Sequence, residues 1–294
     1  MGTVIERVAV LAGGWRHRHS ALGLAVETAK DCLRRAEWQP HEVDLLVNAG
    51  IYRDRNLGEP ALAALIQQDI GANPERPHAG GHGTFSFDVA NGTCGLLNAL
   101  QIVDGFLTSR AVERAMVVAS DADPGHRMSD HFPFTPAGAA MLCQWRADDS
   151  GLSHPSWVTD YENREMSSAT VGLVDGHNTL RVARAESLNR QMAAVAAKAI
   201  AACLEGAGLR LADVRAIVAA PGGGEFRAEL AHRVGLPEGD VVVAEDERMH
   251  TASLAAALDR IPADLPTGSR ILLVAAGAGI CAGAAVYRVP PAHV

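Results

Sequence analysis

Lysine is almost missing from this chain of 294 residues: Lys30 and Lys198 are the only two, and the formal net charge is -8. No basic run of five or more occurs, which excludes the electrostatic footprint of a nucleic-acid binder. No stretch of eighteen apolar residues occurs either, so no membrane-spanning helix is expected. Cysteine is scarce and odd in number: Cys32, Cys94, Cys143, Cys203 and Cys281 lie far apart with no C-x-x-C pair. That argues against a disulfide framework and against a zinc site, and no metal is expected. The opening residues Met1-Gly2-Thr3-Val4-Ile5-Glu6 carry no basic segment ahead of an apolar one, and position 6 lacks the hydroxyl residue that myristoylation wants. The expectation is a soluble, cytoplasmic chain. Apolar residues make up 48% and charged residues 20%, ordinary for a globular protein large enough to bury an extensive core.

What is present is a repeat. Residues 25–36 read as an amphipathic helix, followed after a short polar loop by the buried strand 43–48. Residues 196–207 and 214–219 repeat the pattern 171 positions later, with Cys32-Leu33 falling on Cys203-Leu204 and Val43 on Val214. Each half ends in an apolar run of strand length, 115–120 and 271–276. A Gly/Ala-rich return strand follows each, 137–145 and 282–289. Continuous apolar strands are buried on both faces, as in a sheet covered by helices. The segment 150–178 is polar and weakly periodic and reads as the connection between halves 1–149 and 150–294. Residues 73–83, dense in turn formers, read as a second loop.

Phe87-Asp88-Val89-Ala90-Asn91-Gly92-Thr93-Cys94-Gly95-Leu96-Leu97 resembles the nucleophile elbow of the thiolase-superfamily condensing enzymes, most closely ketoacyl-ACP synthase III and its OleA-type relatives. The resemblance covers nearly the whole chain. It implies an α/β thiolase fold, a duplicated five-layer α/β/α/β/α arrangement with two mixed sheets. The family's elbow holds a Cys that accepts an acyl group as a thioester, activated by a helix N-terminus and a neighbouring His. Aligned on Phe87, Asn91 and Gly95, that position is Thr93. Thr93 is a poor acyl carrier without a base. Cys94 comes one residue later, and one residue along a helix turns a side chain by ~100°. Cys94 therefore reads as a small buried apolar residue.

Other family positions are also changed. The family's His, which follows a strand and precedes a helix ending near Leu-Gly-Leu-Pro, corresponds to Ala220, counted back from Val234-Gly235-Leu236-Pro237. Its Asn corresponds to His250, in Met249-His250-Thr251-Ala252. His250 is either a relocated base or a hydrogen-bonded structural residue. Gly277-Ala278-Gly279 matches the glycine-rich oxyanion loop in outline, and also fits a tight turn between buried strands. The short segment from Leu11 to Ser20 departs from the longer one that carries an adenine-stacking aromatic in ketoacyl-ACP synthase III. One residue keeps a functional match. Glu59, ahead of Pro60-Ala61, corresponds to the OleA-type Glu that reaches across a dimer interface into the neighbouring tunnel. A carboxylate there would act as base at the acyl α-carbon. Alternatively Glu59 only favours a helix start at Pro60.

The resemblance thus implies an accessory subunit of a heterodimeric ketosynthase III-like enzyme. It would support Claisen condensation of two fatty acyl thioesters and donate Glu59 to a partner with intact Cys-His-Asn. No resident cofactor is expected; acyl-CoA or acyl carrier protein thioesters are the substrates. Two alternatives stand beside it. One is an independent acyltransferase or hydrolase using Thr93 and His250, or Cys94. The other is a non-catalytic protein that binds an acyl group or a carrier protein.

Overall fold

The computed structural model describes residues 2–73, 83–262, 264–277 and 279–291. The first sheet has the order β1-β5-β4-β2-β3, built from β1 (Gly2–Ala12), β2 (Leu45–Asn48), β3 (Phe85–Asp88), β4 (Arg114–Asp121) and β5 (Ala137–Arg146). β2 runs parallel to β3 and β4, while β5 is antiparallel to both β1 and β4. Alternation along β4 shows why the run is apolar throughout. Met116 and Val118 pack against α1 (Ala21–Ala36) and α2 (Leu62–Ile70); Ala115, Val117 and Ala119 pack against α3 (Gly95–Thr108).

The second sheet has the order β11-β10-β12-β13-β6. Its strands are β6 (Gly151–Leu152), β10 (Ala216–Ala220), β11 (Val241–Val242), β12 (Arg270–Gly277) and β13 (Cys281–Arg288); β7 (Ser156–Thr159) also pairs with β13. α4 (Leu188–Ala207) and α5 (Gly224–Val234) cover its outer face. α3 and α6 (Ser253–Asp259) fill the layer between the sheets, which completes the five layers. The 171-residue shift is visible in the geometry. α1 ends at Ala36 with Glu37 in the left-handed region (φ 58), and α4 ends at Ala207 with Gly208 in the same conformation (φ 62). β2 begins at Leu45 and β10 at Ala216. Among the described residues no helix is long and apolar enough to cross a membrane.

The connection read as weakly periodic is largely β structure. After β6 and β7, β8 (Ser167–Val174) and β9 (His177–Arg184) form an antiparallel hairpin closed by Asp175 (φ 47) and Gly176 (φ 79). Asp-Gly between strands supplies the two positive φ angles of a two-residue hairpin turn, a signal present in the sequence. Leu180 of β9 turns inward onto Tyr52 and Phe134, which fixes the hairpin over the site.

The start of α2 also differs from expectation. The helix begins at Leu62, and the acidic group at its N-terminus is Asp88, at the end of β3. Asp88 accepts from the backbone N–H groups of Leu62 (2.9 Å) and Ala63 (2.8 Å), from Asn48 Nδ2 (3.0 Å) and from Arg53 (2.7 Å). Burial pushes its carboxyl up, but these donors outweigh burial and hold it below the usual carboxylate range. Asp88→Asn keeps acceptor capacity at one oxygen and removes the charge. It should cost about 1–2 kcal/mol, read as a lower urea midpoint at unchanged slope.

Candidate functional site

The site lies where β2, β4 and β10 end, on the side from which their following loops emerge. Asp121, the last residue of β4, is 2% exposed and gathers five donors. One oxygen accepts from the backbone N–H groups of Ile51 (3.2 Å) and Tyr52 (2.9 Å). The other accepts from the Thr251 N–H (2.8 Å), the Thr251 hydroxyl (2.6 Å) and His250 Nδ1 (3.2 Å). Burial alone would raise this carboxyl, yet the hydrogen bond and charge of His250, then Thr251 and Tyr52, hold it below its ordinary value. An ionised carboxylate only accepts, so Nδ1 carries the proton of this hydrogen bond, and whenever the ring is neutral Nε2 is the nitrogen with the free lone pair. The ring is 14% exposed and packs at 4.3 Å from Phe134 and 5.2 Å from Tyr52, centroid to centroid.

His250 and Thr93 line one cavity of about 320 Å³, together with Phe134, Arg184, Gly223 and Arg248. A Cβ added at Gly92 would come within 3.6 Å of His250 Nε2, which places that nitrogen beside the elbow. Thr93 sits in a 3-10 turn (Gly92–Cys94) leading into α3, and is 5% exposed. Its hydroxyl donates to the Ala276 carbonyl. Cys94 turns away into the core, its Sγ 3.8 Å from Cys281 Sγ. The neighbouring Cys281 thiol and burial push the Cys94 thiol well above its ordinary value. Gly277 is required beside both: a Cβ there would meet Cys94 Sγ at 3.1 Å and Thr93 Oγ1 at 3.3 Å.

Ala220 ends β10 fully buried, and the glycine-rich turn after it, Gly222 and Gly223, lines the cavity in place of a side chain. Gly279 follows β12 in a turn at φ 78; Ala278 lies outside the described residues. Glu59 is exposed and does not line the cavity of its own chain. The structure therefore brings Thr93 and His250 together, turns Cys94 away and leaves Glu59 on the surface. Asp121 is the functional candidate that sequence reading missed. Its only sequence signal is an acidic residue closing an apolar strand.

Beside the cavity lies an open cleft of about 910 Å³ that shares Phe134 and Arg248 with it, lined also by Trp15, Arg18, His126 and Arg127. Trp15 is 95% exposed there. The short segment before α1 thus presents an exposed aromatic next to cationic side chains.

Residues 204–289 match the model of the 3-oxoacyl-[acyl-carrier-protein] synthase III C-terminal family. β-Ketoacyl-[acyl-carrier-protein] synthase III 3 of Streptomyces coelicolor is 28% identical over 91% of this chain and 82% of its own. The synthase III of Sphingopyxis alaskensis is 28% identical over 97% of this chain and 89% of its own. Two solved structures extend the likeness. The priming β-ketosynthase of the R1128 polyketide pathway superposes with a TM-score of 0.80 at 19% identity, over 98% of this chain and 96% of its own. OleA of Xanthomonas campestris, solved with lauric acid and lauroyl-CoA, gives 0.79 at 16%, over 98% and 99%. The chain has the thiolase-superfamily fold of the ketoacyl synthase III and OleA type. Within that fold, Thr93 lines the cavity from the turn that leads into α3, and His250, held from behind by Asp121, lines it too.

Proposed function

We propose that this chain is a non-self-sufficient subunit of a ketosynthase III-like acyltransferase. It binds acyl thioesters and pairs with a chain that has intact Cys-His-Asn. It assists condensation of two fatty acyl groups by delivering Glu59 to that partner's site. The observation that carries this reading is Thr93: the hydroxyl at the elbow donates a hydrogen bond to the Ala276 carbonyl, and among the described residues no thiol lines the cavity. The exposed position of Glu59 fits donation in trans. So does the edge of the first sheet, where among the described residues β3 has no outer neighbour and Phe85 is 57% exposed. The cleft at Trp15 and Arg18 fits the anionic, pantetheine-bearing arm of CoA or a carrier protein, which enters as substrate and not as a resident cofactor.

The test is reconstitution with a Cys-His-Asn paralogue encoded beside this chain and a long-chain acyl-CoA. Condensed product should appear only in the mixture. It should fall by at least ~100-fold with Glu59→Ala here, the cost of losing a general base. Condensed product from this chain alone would overturn the reading. Full turnover with Glu59→Ala would reduce the chain to a binding scaffold.

A second reading, independent hydrolysis or transfer of acyl thioesters, is favoured by one observation: His250 lines the cavity with its Nδ1 held by Asp121. Cys94 offers it no support, because its thiol is enclosed in the core.

A further inference from the structure

We propose that Asp121 and His250 act as a general-base pair that hydrolyses an acyl thioester in this cavity by direct attack of water, without an acyl-enzyme. This rests on the reading of the cavity as an acyl-thioester site, and it adds a reaction that the chain performs without a partner.

Three features of the site carry it. First, the Asp121 carboxylate has donors on both oxygens, four of them from Ile51, Tyr52 and Thr251, so its position does not depend on the imidazole it holds. It fixes the tautomer that leaves Nε2 as the acceptor. Second, Nε2 lies beside the elbow turn, in the same cavity as Thr93. Third, Thr93 is not available as the nucleophile. Its hydroxyl proton is committed to the Ala276 carbonyl, and that bond would have to break before His250 could take it. A base with no protein nucleophile in front of it activates the acceptor itself, and the exposed Arg184 and Arg248 mark where solvent reaches the cavity.

The step balances without an oxidant or co-reactant. Nε2 takes a proton from water as its oxygen bonds to the thioester carbonyl carbon. The C–S bond then breaks, and the thiolate leaves with the proton from Nε2. The products are a carboxylic acid and a free thiol. The charged and titratable groups around the imidazole are Asp121 and Tyr52, which touch it, and Arg184, Glu247 and Arg248 at the cavity wall. Asp121 is a positioning residue and His250 the catalytic one.

The experiment uses the whole purified chain with acetyl-CoA and octanoyl-CoA. CoA release is followed by chromatography, binding by calorimetry and covalent adducts by intact mass. Repeated turnover is expected for at least one probe, with no acyl adduct on the chain. His250→Asn should lower kcat by about 100-fold or more at unchanged KM. Added imidazole should restore turnover to His250→Gly, which a structural role for the ring would not allow. Asp121→Asn should lower kcat while thioester binding persists, and Cys94→Ala should turn over as the wild type does. Should the Asp121 variant fail to fold, the His250 variants decide alone. Binding without turnover, an acyl adduct, or full activity in His250→Asn would overturn the proposal. Failure of both probes to bind would overturn the reading of the cavity as well.

Discussion

Asp121→Ala should cost this chain at least ~4 kcal/mol, a large fraction of a total stability on the order of 5–15 kcal/mol. The carboxylate is 2% exposed, and its removal strands three backbone N–H groups, the Thr251 hydroxyl and the His250 ring. A buried donor left unpaired costs about 1–3 kcal/mol, and breaking a buried charge network about 3–5 kcal/mol. The damage is not local. Ile51 and Tyr52 follow β2, while His250 and Thr251 precede α6, so the carboxylate ties a loop of the first half to one of the second. Urea unfolding checks it. A loss below about 1 kcal/mol would mean that water replaces the carboxylate, contrary to the enclosed geometry. The same group governs acid stability. Asp121 and Asp88 are both held below their ordinary value in the fold. Their contribution is therefore complete above the unfolded carboxylate range near ~4. It is lost as pH falls through the lower folded values. Asp88→Asn should consequently flatten the acid side of the stability curve.

The fold was legible because its signals are local and duplicated. Residues 25–36 and 196–207 carry the same helical period, and the strands after them are apolar on both faces because helices cover both. The rotation of Cys94 away from Thr93 was also legible, since it follows from helix geometry. What escaped was long-range. Nothing near residue 121 says that its partners are 51, 52, 250 and 251. The acidic group that the sequence offered as an alternative helix-start residue was Glu59, three residues ahead of α2, whereas the parallel pairing of β2 with β3 brings Asp88 there. The hairpin β8–β9 escaped for another reason. Its Asp175-Gly176 turn was present, but the flanking residues are mostly exposed and give little hydrophobic alternation.

Thr93→Cys should convert a chain that forms no detectable acyl adduct with acyl-CoA into one acylated at that residue. The change asks little of the backbone. Position 93 already lies in the turn that opens the 14-residue α3, where a thiol is acidified by the helix N-terminus. At neutral pH a free thiol is a few per cent thiolate and a hydroxyl essentially none, so reactivity toward a thioester should rise by orders of magnitude. Room exists because position 277 is glycine: any Cβ there would already press on the Thr93 hydroxyl at 3.3 Å. Losing the threonine methyl and its hydrogen bond to Ala276 should cost about 1–2 kcal/mol, which leaves the chain folded. Intact mass after exposure to octanoyl-CoA reads the outcome, with Cys94→Ala alone as the comparison. An adduct at residue 93 would mean that the elbow geometry is intact and that the missing sulfur is what separates this chain from an acyl-accepting one. A folded variant with no adduct would mean that the side chain at 93 stays turned to the Ala276 carbonyl. Loss of chemistry would then lie in the elbow's direction as well as in its residue. Adding Ala220→His is the harder step: Ala220 is fully enclosed, and an imidazole there must displace the packing around it. Acylation without condensation is therefore the expected limit of the single change.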